Sequence, residues 1–293
     1  MGTLYDLRLG GIDATFATDQ KGTNGSIAPQ KTIDVLQALH AAAVAASDLA
    51  VVQTPLLIDA GASEGRALLY WACNVAQLEH VKQPIDLYGF ELPHLSQYKL
   101  IHRVAETRAS EVLSCPVNIR VVWKDCKDIT SLSHEFDFLS GSVCVLYSFW
   151  TCWYAKDKVK LLELVAAEPK IAAIAVYLTS HDLPFEDQQI DNSFITQHLS
   201  KHSEESRWTL HTSFAGCRFI AGNETATASV FRRMTNAEQS TEASDQEPKL
   251  SQAKPAAPDR PVHCDGFQVL GLGPETQDGW LDMCNLCGGG GGG

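Results

Sequence analysis

Apolar positions along the chain fall into two alternating patterns from residue 29 to residue 234. Short continuous apolar runs mark buried strands, and longer stretches with apolar residues three and four apart mark amphipathic helices. The first helical stretch has Pro29 near its first turn, where a missing N–H costs nothing, and carries Val35, Leu36, Leu39, Ala42, Ala43 and Ala46 on one face. Ser47, Asp48 and Pro55 close it. Leu56–Asp59 reads as the first strand, and a helix after Gly65 carries Leu68, Ala72 and Val75. Ile85–Glu91 is a second strand, stopped by Pro93. His94–Leu113 is helical, with Ile101, Ala105, Arg108 and Val112 in register. Val117–Trp123 is a third strand and Val143–Trp150 a fourth, very apolar one. Lys156–Ala167 is a helix ended by Pro169, and Ile171–Leu178 is a fifth strand. The alternation then stops: Trp208–Phe214 and Cys217–Ile220 read as one strand or two, and Ala228–Met234 as another, in succession.

Strands alternating with helices predict a mostly parallel sheet covered on both faces. Strands in succession predict an antiparallel end to it. Around this domain, residues 29–234, lie an N-terminal segment (1–28) rich in Gly, Thr and Asp and a C-terminal tail (235–293). Residues 236–262 are Glu, Gln, Ser, Ala, Pro and Lys with almost no apolar side chains, a composition expected to be disordered. The tail ends in six glycines, which carry no fold.

A formal charge of -12 argues against binding nucleic acid by charge alone, because phosphate contacts need clustered Lys and Arg. It is compatible with a basic protein substrate. No apolar run approaches the roughly 20 residues of a membrane span, and residues 1–6 do not read as a secretory signal. The nine cysteines are scattered, an odd number, which suits free thiols in the cytoplasm or nucleus rather than a disulfide framework. Cys284 and Cys287 with His263 and Cys264 have zinc-like spacing, but their low-complexity flanks favour free thiols, and no metal site is assigned.

Candidate chemistry gathers at the ends of the first three strands. Asp59, Glu91 and Asp125 each follow one of them, and Gly61, Ser63 and Gly65 lie in the loop between the first strand and its helix. In open α/β sheets, ligands bind at the carboxyl ends of the strands. A carboxylate accepts two hydroxyl hydrogen bonds at once, so Glu91 suits a ribose diol. Asp125 suits an adenine amine, and Asp59 a cationic end. Gly61 and Gly65 let the backbone come close without a Cβ in the way. These are the groups of S-adenosylmethionine (SAM). A dinucleotide needs G-x-G-x-x-G with its pyrophosphate on the helix N-terminus. Here position 63 is not glycine, and Glu64 would repel phosphate.

On those residues the chain resembles a family. Asp59-Ala60-Gly61-Ala62-Ser63-Glu64-Gly65 looks like motif I of the class I SAM-dependent methyltransferases, and Glu91 looks like the acid after their second strand. The resemblance covers roughly residues 20–234. It implies an α/β, Rossmann-like fold with a mostly parallel seven-stranded sheet, an antiparallel final strand and a disordered tail. Within the class the chain is similar to the histone lysine methyltransferases named for disruption of telomeric silencing. Thr23 and Gly25 match their loop before motif I, Gly89-Phe90-Glu91 their Gly-(Val/Ile)-Glu, and Phe149 the Phe of their Asn-Asn-Phe. The resemblance implies that Thr23 and Gly25 help hold the cofactor, that Tyr147, Ser148, Phe149 and Trp150 face the methyl acceptor, and that a protein lysine, histone-like, accepts the methyl group. RNA or a small molecule is the alternative acceptor. Aromatic side chains in Tyr147–Tyr154 suit a channel for an aliphatic amine, or else pack a buried strand and anchor its loop. Two further readings stay open: a methyltransferase-like protein that binds SAM or a partner without catalysis, and a nucleotide-dependent oxidoreductase, which the loop disfavours.

Overall fold

The computed structural model describes residues 29–47, 55–74, 84–136, 142–151, 153–180, 182–201, 207–218, 225–235 and 238. Thr23, Gly25, the N-terminal segment, the tail and its Cys284/Cys287 pair lie outside the described residues. In chain order the elements are α1 (Pro29–Ala46), β1 (Leu56–Ala60), α2 (Arg66–Asn74), β2 (Ile85–Glu91), α3 (Lys99–Leu113), β3 (Val117–Trp123), α4 (Leu132–Glu135), β4 (Cys144–Ser148), α5 (Ala155–Ala167), β5 (Ile171–Leu178), α6 (Asn192–Ser200), β6 (Trp208–Arg218) and β7 (Thr225–Arg233).

The seven strands form one sheet in the order β3-β2-β1-β4-β5-β7-β6. The first five run parallel to one another. β7 inserts between β5 and β6 and runs antiparallel to both. The final strand alone is reversed, and β6 runs with the rest. This is the mostly parallel seven-stranded, Rossmann-like sheet expected from the sequence. The order reverses between β1 and β4, since β2 and β3 lie to one side of β1 and β4 and β5 to the other. That switch point is where such sheets open a ligand crevice.

Alternating side chains build a core on each face. Leu57, Leu87, Val145, Ala173, Tyr177 and Val230 pack with α1, α2 and α3. Ile58, Phe90, Leu146, Ile174, Val176 and Phe231 pack with α4, α5 and α6. The apolar face read for α1 is the buried one: Val35, Leu36, Leu39, Ala42 and Ala43 are fully enclosed. That of α3 is turned relative to expectation. His102, Ala105 and Ala109 are buried, whereas Arg108 is exposed and pairs with Glu111 on the solvent side. A short 3-10 turn over Pro93–Tyr98 precedes α3.

Helix α6 is not signalled by periodicity, because only Phe194, Ile195 and Leu199 are buried along its nine residues. Its start is fixed locally: the Asp191 carboxylate accepts a hydrogen bond from the Phe194 N–H at 2.8 Å, which satisfies an orphan donor of the first turn. Helix α5 is closed from a distance. The Arg233 guanidinium donates to the carbonyl oxygens of Glu168 (2.9 Å) and Ile171 (2.7 Å), placing a cation at the helix's negative end. Its neighbour Arg232 pairs with Glu238 at 2.6 Å.

Asp182, in the segment after β5 that also carries Glu186 and Asp187, is buried. It accepts from Lys158 Nζ at 2.7 Å and from the Thr179 N–H and hydroxyl, both at 3.0 Å. Glu186 and Asp187 remain exposed, in left-handed turn conformations with φ of 47° and 64°. Lys158 also lies 5.8 Å from the Trp150 ring centroid. The pair therefore ties α5 to the segment after β5, next to the segment after β4. Removing one partner strands a buried charge, so Asp182→Ala is expected to cost roughly 3–5 kcal/mol. Urea unfolding measures this. Replacing both Lys158 and Asp182 by apolar residues is expected to cost clearly less than the sum of the single changes.

Candidate functional site at the carboxyl ends of the parallel strands

The loop from Gly61 to Gly65 is held against the end of β2. Gly61 N–H and Ala62 N–H both donate to the Phe90 carbonyl, at 2.9 and 3.1 Å, and Gly65 N–H donates to Ala62 at 2.7 Å. Ser63 N–H donates to Glu91 Oε2 at 2.8 Å. The other Glu91 oxygen accepts from the Leu92 N–H at 2.7 Å. Four of the five amides from 61 to 65 are thus engaged within the protein. A phosphate-binding loop needs such amides free. Glu64 is buried at the start of α2, with its carboxylate 3.1 Å from Arg66 Nε. Geometry and charge together reject a pyrophosphate here.

The two acids of the loop are enclosed, Asp59 being 3 % and Glu91 8 % exposed. Burial raises the Asp59 carboxyl well above the ordinary carboxylate range, and the nearby Glu91 charge raises it further. Burial also raises Glu91, against the lowering effect of its two amide donors. No described residue donates a hydrogen bond to the Asp59 carboxylate. A cation or a hydroxyl donor brought to Asp59 supplies what the protein does not.

Asp125 follows β3 as expected but is engaged locally. It caps a 3-10 turn at Cys126–Asp128, accepting from Lys127 N–H at 3.1 Å and pairing with Lys127 Nζ at 2.9 Å. Hydrogen bonds and charge from Lys127 hold its carboxyl below the usual range, against a burial effect that raises it.

Gly61 and Gly65 have the left-handed φ expected of loop glycines, 86° and 83°. The space freed by their missing Cβ atoms is taken by side chains of the protein. A Cβ on Gly61 would stand 3.3 Å from the Trp153 indole, and one on Gly65 3.2 Å from the His102 ring. His102 Nε2 also lies 2.8 Å from the Ser63 carbonyl oxygen, so Ser63 is held at its N–H by Glu91 and at its carbonyl by His102. A third glycine sets the loop's depth: a Cβ on Gly89 would stand 2.8 Å from the Ala62 Cβ and 2.9 Å from the Asp59 carbonyl oxygen.

The segment expected to face an acceptor is turned mostly inward. The Tyr147 hydroxyl meets that of Tyr177 at 3.2 Å, the Ser148 hydroxyl donates to the Ala60 carbonyl at 2.9 Å, and the Trp150 N–H donates to the Tyr177 carbonyl at 2.6 Å. Tyr147, Ser148 and Trp150 are buried, and half-buried Phe149 packs edge-on against Tyr177 at 5.0 Å. β4 is flanked on both sides by parallel strands, so its side chains are core on both faces. Tyr147 and Trp150 therefore help fix the end of β4, with Phe149 half-buried beside them. From this stretch, half-buried Trp153 and exposed Tyr154 reach the surface.

From the sequence, Gly89 entered only within Gly89-Phe90-Glu91 and Trp153 only among the aromatics of Tyr147–Tyr154, and His102 was not read at all. Gly89 had a signal, its place two residues before the acid that ends β2. Trp153 had a weaker one, just past the end of β4. His102 had none, because its contact with Ser63 spans 39 positions. Among the described residues no cluster of His, Cys, Asp and Glu suits a metal ion, and no helix is long and apolar enough to cross a membrane.

No protein-family model matches the sequence, and no curated protein matches it. Solved structures are similar to it at low identity. The magnesium protoporphyrin IX methyltransferase of Synechocystis PCC 6803 with bound SAH is 12 % identical, with 70 % of this chain and 83 % of that chain covered and a TM-score of 0.44. The rRNA methyltransferase AviRa of Streptomyces viridochromogenes is 16 % identical, with 71 % and 85 % covered and a TM-score of 0.37. A dimethyladenosine transferase of Plasmodium falciparum is 9 % identical, with 71 % and 63 % covered and a TM-score of 0.40.

Two measurements check the site's construction. Gly89→Ala is expected to force the loop off β2 and cost roughly 1–3 kcal/mol in unfolding free energy. For Asp59 the raised carboxyl means that the folded state binds its proton more tightly than the unfolded chain does. Its contribution to stability is present below the ordinary carboxylate range and is lost as pH rises through the raised value. Asp59→Asn is therefore expected to raise Tm relative to the parent at neutral pH, and to raise it less in the acid range.

Proposed function

We propose that the chain is a SAM-dependent methyltransferase. The observation supporting this best is the pairing of two buried acids, Asp59 and Glu91, with a loop whose amides are already engaged. That combination favours a ligand with a cationic end and hydroxyls but no phosphate, and disfavours a dinucleotide. Glu91 takes the ribose diol through lone pairs not used by Ser63 and Leu92. Asp59 lies toward the cationic methionine end, directly or through water. Asp125 or its neighbouring backbone meets the adenine edge, and the resemblance gives Thr23 and Gly25 a share in holding the cofactor.

SAM supplies an activated methyl carbon, and transfer is an in-line displacement. The protein's part is to align the acceptor at the end of β4. Tyr147, Ser148, Phe149 and Trp150 contribute by fixing that end through the hydrogen bonds and packing described. No general acid or base is required of them.

For the acceptor, the exposed apolar residues Leu92, Tyr154 and Leu183 follow β2, β4 and β5, on the carboxyl side of the sheet. They suit an acceptor with an apolar body. A histone-like lysine rests on the resemblance of Thr23, Gly25, Glu91 and Phe149 alone, and the inward packing of Tyr147 and Trp150 removes two walls of the expected aromatic channel. Binding of SAM or of a partner without transfer is the second reading, and the indole that covers Gly61 favours its partner-binding form.

Calorimetry with SAM and with NAD tests the donor assignment. Binding of SAM and not NAD is expected, with Glu91→Ala weakening it roughly 10- to 100-fold through lost hydrogen bonds to a charged group. Heat with NAD alone overturns the assignment. Labelled methyl transfer to histones, RNA and a small-molecule extract then separates the acceptors, and no transfer to any of them favours the second reading.

A further inference from the structure

The loop glycines have two rings against them, and the rings are held very differently. His102 sits on α3, its Nε2 lies 2.8 Å from the Ser63 carbonyl oxygen, and its ring stacks on Trp123 at 5.7 Å and 24°. It is a fixed wall. Trp153 lies in the short connection between β4 and α5 and is half-buried. Its indole N–H makes no hydrogen bond within the described residues, and its ring contact is a tilted one with Phe90 at 6.4 Å. Yet it covers the open side of Gly61, with its Cζ2 and Nε1 atoms 3.3 and 3.6 Å from where a Cβ would stand. An absent Cβ at this position is what lets a ligand approach the backbone, and the indole takes that place.

We propose that Trp153 is the gate of the donor site: its indole closes the face of Gly61 and swings away when the cationic end of SAM reaches the loop. The inference rests on the donor assignment above. The base of the gate is anchored, since Trp153 N–H donates to the Trp150 carbonyl at 2.9 Å and Trp150 is pinned to Tyr177. Motion is therefore confined to the side chain. Its neighbour Tyr154 is 64 % exposed, so the displaced indole moves toward the surface where the acceptor docks. Donor binding then enlarges the apolar rim on the acceptor side, and the two ligands bind in order, donor first.

The test compares the parent chain with Trp153→Ala and Trp153→Phe, by calorimetry with SAM and by intrinsic fluorescence on mixing with SAM. A closed gate lowers apparent affinity by the fraction of molecules that are open, so Trp153→Ala is expected to bind SAM about tenfold or more tightly. The parent is expected to show a fluorescence change on binding that Trp153→Phe lacks. Unchanged or weaker binding by Trp153→Ala, with the parent binding SAM, overturns the gate and leaves the donor assignment standing. No SAM binding by the parent or either variant, all of them folded by circular dichroism, overturns the donor assignment and the gate with it.

Discussion

The whole site depends on how closely β1 and β2 approach at their carboxyl ends. Asp59 and Gly89 are register partners, and the Asp59 carbonyl and Ala62 Cβ fill the space where a side chain on residue 89 would begin. The close approach lets one carbonyl, that of Phe90, take both the Gly61 and Ala62 amides. It also brings Glu91 within reach of Ser63. Two acids thereby end up buried beside each other, although burial and mutual repulsion both oppose their charge. That is a cost in stability carried at one place in the sheet, of the kind found where a protein is built to receive a ligand.

Much of the fold was legible because its signals are local. The runs at β1, β2, β3 and β5 stand out as apolar blocks between Gly and Pro breaks, and the face of α1 follows from spacing alone. What escaped was set by tertiary context. α6 is short, with an N-cap and a small buried set that only packing reveals. The burial of Asp182 has no local signal, because its partner, Lys158, lies 24 positions away. The face of α3 centres on His102, Ala105 and Ala109, and His102 is a polar type whose place in the core only packing against the loop reveals.

The site was legible to a different degree. Asp59, Gly61, Gly65 and Glu91 stand at strand ends where their types suggested a role, and the structure brings them together. Asp125 stands at its strand end but is engaged by its own turn. For Tyr147, Ser148 and Trp150 the resemblance implied that they face an acceptor, from their place at the end of the fourth strand. An apolar strand in the middle of a sheet has no outward face, however, and their polar atoms are bonded within the core. The same constraint leaves the work at the end of β4 to residues just past it.

The clamp that Arg233 places on the end of α5 has a bearing on how the molecule is assembled. It joins the last residue of β7 to carbonyls 62 and 65 positions earlier. β6 precedes β7 in the chain but reaches the sheet only through it. During synthesis, the first five strands can therefore pair as they emerge, while the edge of β5 stays open and β6 has nowhere to dock. Closure of this edge waits for the final strand, and contacts so distant in sequence form slowly. In the interval the unpaired edge of β5, a buried strand of Ile, Val and Ala, is the surface most exposed to wrong pairing.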